Sequence, residues 1–396
     1  MKADYRNTEI PVFRLLPMTE RKIKVMIVDD SATARRILAA IVNNSNDMVV
    51  SSSVEGPYEA VEELKKGYPD VIVLDVQMPR MDGITFLKKI MAHHPLPVVM
   101  CSSFTERGSS NSLQCLESGA VDIIAKPRIT SKDDMLELEM RVHDVIHSAS
   151  QARFKLPSAA GAPSRFSKTP EAAPQFATSA KYSADEILPA ASKTSIASIP
   201  TKMPRVIAVG ASTGGTDAIR VFLSGMPTDC PGIVMVQHMP EHFTKSFADR
   251  LNDVCGIRVK EAANGDVVEP GLALLAPGNM HLALRRRGNS YFVELIGGAL
   301  VSRHRPSVDV LFRSTAGSAG ANAVGVILTG MGDDGAAGML EMKNAGAYNF
   351  AQDKDSCVVF GMPNEAIKAG GVHETLPLNK IAAKVVQQLV PARSTA

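Results

Sequence analysis

Tryptophan is absent from this sequence of 396 residues, cysteine is scarce, neither charge sign dominates, and no apolar run is long enough to span a bilayer. The formal net charge of +2 excludes the strong field that nucleic-acid or membrane-surface binding relies on. The five cysteines, Cys101, Cys115, Cys230, Cys255 and Cys357, lack the paired spacing of a zinc site. Their odd number fits reduced cytosolic thiols better than a disulfide framework. Cys101 and Cys357 lie in apolar runs and are expected in cores. Residues 1–22 carry an apolar patch (Ile10 to Phe13, Leu15, Leu16) broken by Arg14 and proline, without a small-residue cleavage site, so they read as an amino-terminal extension and not as a secretory signal. The expectation is a cytoplasmic protein with no membrane insertion. The rest is ordinary for a soluble chain, with 45% hydrophobic and 21% charged residues. The length suffices for two domains, each with its own core.

From Ile23 onward short apolar strands, at 25–28, 71–74, 98–100 and 123–125, alternate with amphipathic helices at 32–42, 84–91, 111–118 and near 135–147. Such alternation predicts right-handed βαβ units and a doubly wound parallel sheet over residues 23–147. Over 148–203 alanine, serine, proline, threonine and lysine replace any hydrophobic periodicity, as in a flexible linker. The alternation resumes over 204–392, with strands at 205–210 and 233–236 and helices at 217–223 and about 243–254. Residues 271–296 read instead as two or three short antiparallel strands, at 272–276, 281–285 and 291–296. A helix containing 308–314, a strand at 324–328 and an amphipathic helix at 379–390 complete the chain. The fold class is therefore α/β, with two doubly wound, mostly parallel sheets and an antiparallel β insertion in the second.

In the first half, Asp29 and Asp30 end one strand, Asp75 ends another, Ser102 a third, and Lys126 precedes Pro127 after the last. Carboxylates gathered at strand ends bind a hard divalent cation, and Mg²⁺ suits the task because it keeps waters and bridges to phosphoryl oxygens. A metal-braced aspartate can then accept a phosphoryl group, with a hydroxyl and a lysine to bind its oxygens. An isolated Asp-Asp pair is more often a solvated loop, but five such positions at strand ends weigh against that reading. The run Asp75-Val76-Gln77-Met78-Pro79-Arg80-Met81-Asp82-Gly83 closely matches the phosphorylation-site segment of response-regulator receiver domains, which residues 23–147 resemble. The resemblance implies a flavodoxin-like fold with Asp75 as phosphoacceptor. It further implies Asp29, Asp30, Asp75 and the Gln77 backbone carbonyl as Mg²⁺ ligands, and Ser102 and Lys126 as switch residues. Ile123 departs from the pattern, since many receivers carry an aromatic there.

In the second half three glycine-bounded segments follow apolar strands: Gly210-Ala211-Ser212-Thr213-Gly214-Gly215, Gln237-His238-Met239, and Gly330-Met331-Gly332-Asp333-Asp334-Gly335. A serine, a histidine and an aspartate thus emerge at carboxyl ends of strands, where open α/β sheets place their sites. A serine hydroxyl becomes a good nucleophile when an imidazole takes its proton and a carboxylate orients the imidazole. The first segment fits a G-x-S-x-G nucleophile elbow. Taken singly, it fits a phosphate cradle at a helix amino terminus as well. His238 alone reads equally as a loop or capping histidine; His242, His281 and His304 share the ambiguity. The His238-x-x-x-His242 spacing suggests zinc only weakly, because the helix is expected to begin near Pro240. The order Ser, His, Asp differs from that of α/β-hydrolases, which excludes that family without excluding the chemistry.

Several further runs recur in family order: Gln-His-Met-Pro at 237, Ala-Pro-Gly-Asn-Met-His at 276, His-Arg-Pro-Ser-Val-Asp-Val-Leu-Phe at 304, Leu-Thr-Gly-Met-Gly-Asp-Asp-Gly at 328 and Gly-Met-Pro at 361. With these, residues 203–392 resemble the catalytic domain of the CheB family of chemotaxis protein-glutamate methylesterases. The resemblance implies a Rossmann-like domain that hydrolyses glutamyl methyl esters on chemoreceptors, releases methanol, and in many members deamidates receptor glutamines. Ser212 would be the nucleophile, His238 the proton carrier and Asp334 its orienting acid, with the Met331 N–H toward the oxyanion and Asp333 a solvated neighbour. The hydrolase reaction needs no cofactor on this reading, whereas phosphorylation needs Mg²⁺. The implied partners are methyl-accepting chemoreceptors and a chemotaxis histidine kinase, with the enzyme a monomer. An unphosphorylated first domain resting over Ser212 would restrain activity. The competing reading is a phosphorylation-controlled binding protein with a vestigial hydrolase site; intact Ser212, His238 and Asp334 count against it.

Overall fold

The protein is described here by a computed structural model that covers residues 21–103, 114–127, 132–152, 182–200 and 202–389. In the first domain β1 (Ile23–Val28), β2 (Met48–Val54), β3 (Val71–Asp75), β4 (Val98–Ser102) and β5 (Asp122–Ala125) form a parallel sheet in the order β2-β1-β3-β4-β5. That is the flavodoxin-like order. Strands β3 and β4 are buried along their whole length, which explains their continuous apolar runs. Helices α1 (Ala32–Asn44), α2 (Pro57–Lys66), α3 (Gly83–His93) and α4 (Lys132–Gln151) flank the sheet. Sequence patterning passed over β2 and α2, because β2 is an edge strand whose three serines break its apolar run. Of the helix expected at 111–118, positions 111–113 lie outside the described residues; 114–117 are helical.

Seven parallel strands make the second sheet: β6 (Val206–Ala211), β7 (Gly232–Gln237), β8 (Arg258–Glu261), β9 (Leu272–Leu275), β12 (Ala323–Ile327), β13 (Tyr348–Gln352) and β14 (Glu374–Leu376). Their order is β14-β13-β12-β6-β7-β9-β8. Among the described strands, β10 (His281–Arg287) and β11 (Ser290–Ile296) pair antiparallel, as a hairpin. The segment at 272–276, expected with them, instead lies between β7 and β8 in the parallel sheet. Its sequence Leu-Ala-Leu-Leu is buried throughout, an unbroken apolar run and not the alternation of a one-sided strand. The order in which strands are added changes side at β6, with β7 on one side and β12 on the other. This switch point opens a crevice beyond the carboxyl ends of those strands.

Two parts of the expected linker carry structure. Helix α4 runs through Ser148 to Gln151, so Ser148 is helical and buried. Residues 182–200 form a strap on the second domain, with a 3₁₀ turn at Ala184–Glu186 and a short helix α5 (Lys193–Ala197). Ala184 and Leu188 pack beneath it against Val301 and Val310. Arg313 bonds Asp185 Oδ1 at 2.6 Å and the Leu188 carbonyl at 3.0 Å. Anchors as sparse as Ile187, Leu188, Ile196 and Ile199 leave no periodicity to read. No helix among the described residues is long and apolar enough to cross a membrane.

Candidate active site

Strand β6 ends at Ala211 and helix α6 (Gly215–Ser224) begins four residues on, so Ser212, Thr213 and Gly214 make the turn between them. Gly214 has φ 75°, and a Cβ there would stand 2.6 Å from Val358; only glycine tolerates both conditions. The Ser212 N–H donates to the Thr329 carbonyl at 3.0 Å, which ties the elbow to the loop after β12. A Cβ on Gly330 would come within 2.8 Å of the Ser212 Cβ, so glycine lets the two loops touch. The Gly330 carbonyl accepts N–H bonds from Gly361 and Met362 at 3.0 and 2.8 Å. Because carbonyl and N–H point oppositely across a trans peptide, the Met331 N–H is turned away from that pair.

His238 directly follows β7, and its backbone N–H bonds the Ala211 carbonyl at 3.1 Å, which holds it beside the elbow. Gln237 Nε2 reinforces the join by donating to the Ser212 carbonyl at 2.9 Å and the His238 carbonyl at 3.2 Å. The imidazole Nε2 is 2.8 Å from Asp334 Oδ2, and both side chains are 1% exposed. Nδ1 is buried and without a hydrogen-bond partner among the described residues. Ser212 lies in the same crevice at 7% exposure but is bonded to neither side chain, as is common in unliganded hydrolases.

Asp334 sits at the amino terminus of helix α8 (Val308–Ala319), whose cap is Ser307. It accepts from the Ser307 hydroxyl at 2.7 Å and from the Val308 and Asp309 N–H groups at 2.7 and 3.0 Å. Burial pushes its carboxyl above the usual carboxylate range, and these donors limit the rise. Burial, reinforced by the Arg141 guanidinium, pushes the His238 imidazole down to about 3. A neutral ring that gives its Nε2 proton to Asp334 leaves Nδ1 as the basic nitrogen. The neighbouring Asp333 is exposed, so of the two adjacent acids it is Asp334 that meets the histidine.

Sequence reasoning left the supporting residues unnamed or ambiguous. His281 is buried between the Ala299 carbonyl, 2.9 Å from Nε2, and the Ser307 N–H, which donates to Nδ1 at 3.2 Å. It thereby fixes the serine that fixes Asp334. The His304 ring stacks on His238 with centroids 3.7 Å apart. His242 caps helix α7 (Phe243–Val254), and His238 lies outside that helix, so the two do not share a helical face. Ser307 was findable as a serine immediately before an apolar helical run. His304 was not, because its contact spans sixty-six positions of sequence.

In the first domain, Asp29, Asp30 and Asp75 bring carboxylate oxygens within 4.8 Å of one another. Asp29 and Asp75 are buried and Asp30 exposed. Lys126 Nζ lies 2.7 Å from Asp75 Oδ2 and 3.2 Å from Asp29 Oδ2. Burial raises both buried carboxyls, Asp75 to about 6. Burial works against the Lys126 ammonium too, but Asp75 and Asp29 outweigh it and its pKa is raised. One ammonium against three crowded acids leaves negative charge that an oxygen-seeking divalent cation would neutralise, so the residues fit Mg²⁺. The exposed Gln77 donates its N–H to Asp75 Oδ1 at 3.3 Å, and the buried Ser102 accepts the Lys126 N–H at its carbonyl at 2.7 Å. Ile123 is buried at 2% exposure.

The two domains meet beside the catalytic elbow. Arg141 on α4 donates to the His238 carbonyl at 3.2 Å. The Thr213 hydroxyl, beside the serine, donates to Asp122 Oδ2 at 2.8 Å and stands 3.0 Å from Ser148 Oγ. Asp122 opens β5 and Lys126 follows its other end, so one short strand links the acid cluster to the elbow.

A family model for the CheB methylesterase matches residues 207–385, and one for the response regulator receiver domain matches 25–138. A protein-glutamate methylesterase/protein-glutamine glutaminase 2 of Oleidesulfovibrio alaskensis is 52% identical over 367 residues, covering 93% of this chain and 98% of its own. A protein-glutamate methylesterase/protein-glutamine glutaminase 3 of Geobacter metallireducens is 53% identical, covering 93% of this chain and 99% of its own. The crystal structure of the Thermotoga maritima CheB methylesterase catalytic domain is 38% identical with a TM-score of 0.46, covering 47% of this chain and 98% of that one.

Proposed function

This chain belongs to the CheB methylesterase family, and we propose that it is a phosphorylation-regulated hydrolase that removes methyl esters from glutamyl side chains of chemoreceptors and deamidates receptor glutamines. The observation that carries the reading is the buried His238–Asp334 bond at the amino end of α8, tied to the glycine-bounded serine elbow by the His238 N–H on the Ala211 carbonyl. Ser212 Oγ attacks the ester carbonyl while His238 Nδ1 takes the hydroxyl proton. The imidazolium, steadied by Asp334, then returns that proton to the departing methoxide, and methanol leaves. Water repeats the cycle on the acyl-serine, giving the glutamate carboxylate and restoring the serine. A glutamine substrate follows the same path and releases ammonia. Met331 N–H faces the developing oxyanion, where a fixed donor contributes most. Methanol release from methylated receptor membranes tests the reading; no release above an untreated control would refute it.

Asp75 is the phosphoacceptor in this reading, with Ser102 and Lys126 as switch residues and a chemotaxis histidine kinase as donor in the cytoplasm. Asp29, Asp30, Asp75 and the Gln77 carbonyl would hold Mg²⁺, which when bound neutralises the phosphoryl oxygens. The unphosphorylated first domain restrains the enzyme through Arg141, Asp122 and Ser148, which occupy the His238 carbonyl and the Thr213 hydroxyl. Arg141→Ala should therefore raise the resting rate about tenfold, since each ~1.4 kcal/mol taken from the docked state multiplies the open population by ten. Asp75→Ala should abolish the response to Mg²⁺ and a small phosphodonor and leave the resting rate unchanged. A resting rate unmoved by Arg141→Ala would remove the restraint model.

A pH prediction follows from the shift at His238. The imidazole is buried, and docking adds the Arg141 guanidinium nearby; both lower its pKa. Departure of the first domain removes the Arg141 contribution, so the acid limb of kcat/KM should move to higher pH on phosphorylation. A limb at the same pH in both states would show that Arg141 and the docked domain do not tune the base.

A further inference from the structure

Four contacts that α4 makes across to the second domain fall on one of its faces. Glu137 reaches Arg305 at 3.7 Å, Arg141 the His238 carbonyl at 3.2 Å, Asp144 Arg303 at 3.9 Å, and Ser148 the Thr213 hydroxyl at 3.0 Å. Intervals of four, three and four residues trace a single stripe along an α-helix. A helix is thus laid along the catalytic mouth, with two carboxylates two turns apart.

The receiving side is built to hold its shape. Arg303 and Arg305 stand on the loop that leads to Ser307 and α8. Ser302 and Arg303 adopt φ of 49° and 71° without being glycine, a conformation that persists only where its surroundings impose it. Ser302 is held by Asp309 Oδ2 at 3.2 Å, and Arg305 by Asn279 Oδ1 at 2.9 Å and by the Gly298 carbonyl. The arginines are placed with care, yet their carboxylate partners on α4 stand beyond direct hydrogen-bonding distance. Such pairs hold α4 less firmly than direct charge-assisted hydrogen bonds would, whereas a guanidinium is well suited to gripping a carboxylate through two parallel bonds.

We propose that Arg303 and Arg305 are specificity determinants for the substrate. They recognise carboxylates spaced two turns apart on an α-helical protein segment that carries the reacting glutamyl ester, and α4 occupies that track at rest as its mimic. The proposal rests on the esterase reading and adds to it the shape and charge of the substrate. It gives the arginines two opposed duties. At rest they help to hold α4 down; once α4 has left they hold the substrate helix.

The test uses the full chain, phosphorylated with Mg²⁺ and a small phosphodonor, and two probes. One is a methylated receptor in membranes, and the other is the γ-methyl ester of N-acetylglutamate amide, too small to reach the arginines. The variant Arg303→Gln/Arg305→Gln should lower the ratio of receptor kcat/KM to small-ester kcat/KM tenfold or more, through KM for receptor. Unphosphorylated, the same variant should hydrolyse the small ester severalfold faster than the unsubstituted protein. Glu137→Gln/Asp144→Asn should share the second effect and keep the ratio of the unsubstituted protein. An arginine variant whose ratio is also unchanged would reduce these residues to lock parts and overturn the proposal. Should the glutamine variant not fold, Arg303→Lys/Arg305→Lys serves instead: retained charge without the planar fork should lower the ratio by less, and an unchanged ratio again overturns it. Failure of the esterase reading is separate and visible, because the unsubstituted enzyme would then release methanol from neither probe.

Discussion

Ser212→Ala should leave a folded protein whose methanol release falls by roughly a thousandfold or more, because the elbow survives while the nucleophile does not. The turn does not depend on the hydroxyl. It is held by the Ser212 N–H on Thr329, by Gln237 on the Ser212 carbonyl and by the left-handed Gly214. Unfolding curves should therefore superimpose on those of the unsubstituted protein within about 0.5 kcal/mol, the usual range for a substitution that disturbs no packing. Methanol release within tenfold of the starting rate would mean that water is activated directly, and the serine mechanism would be abandoned.

Asp334→Asn should reduce turnover by about a hundredfold to ten-thousandfold, while Asp333→Asn changes it little. Asp334 accepts from four groups: His238, the Ser307 hydroxyl and two backbone N–H groups of α8. An asparagine has one acceptor oxygen, so its amide N–H₂ must face at least one of those donors. If the amide takes the place of Oδ2, it faces both His238 and the Val308 N–H: Nδ1 must then carry the proton, so the base is lost, and two buried donors oppose each other. If it takes the place of Oδ1, it opposes the Asp309 N–H, so in either case a stability loss of ~1–3 kcal/mol accompanies the kinetic one. Asp333 is exposed, and its substitution has neither consequence. Equal losses from the two substitutions, or a larger one at Asp333, would move the orienting role by one residue.

Much of this arrangement was legible before any coordinates. Continuous apolar runs such as Val71–Asp75 mark strands covered on both sides, and the glycines around Ser212 and Asp334 mark turns that side chains would obstruct. The misses have physical causes. Strand β2 hides behind its serines, and β9 has the same apolar run whether it pairs parallel or antiparallel. The strap at 182–200 is held by a few isolated anchors, among them Asp185 on Arg313, that local patterning cannot register. His281 stays ambiguous in the sequence and Ser307 shows there only as a helix cap; their joint role comes from one supporting the other beneath Asp334.

The sequence by itself determined the two α/β domains, the strand ends where chemistry is placed, and the residue types that gather there. Those follow from short-range rules: burial sets the periodicity of strands and helices, and glycine sets where the backbone can turn. Tertiary structure alone decided which nitrogen of His238 faces Asp334, that α8 supplies the donors holding that carboxylate, and that Arg141, Asp122 and Ser148 lie on the catalytic elbow. These contacts join residues 25 to 27 positions apart beneath Asp334, 65 apart for Ser148 and Thr213, and 91 to 97 apart for the others. Charge, burial and hydrogen-bond direction act through space, and no local pattern in a sequence encodes which distant groups the packing will bring within 3 Å of each other.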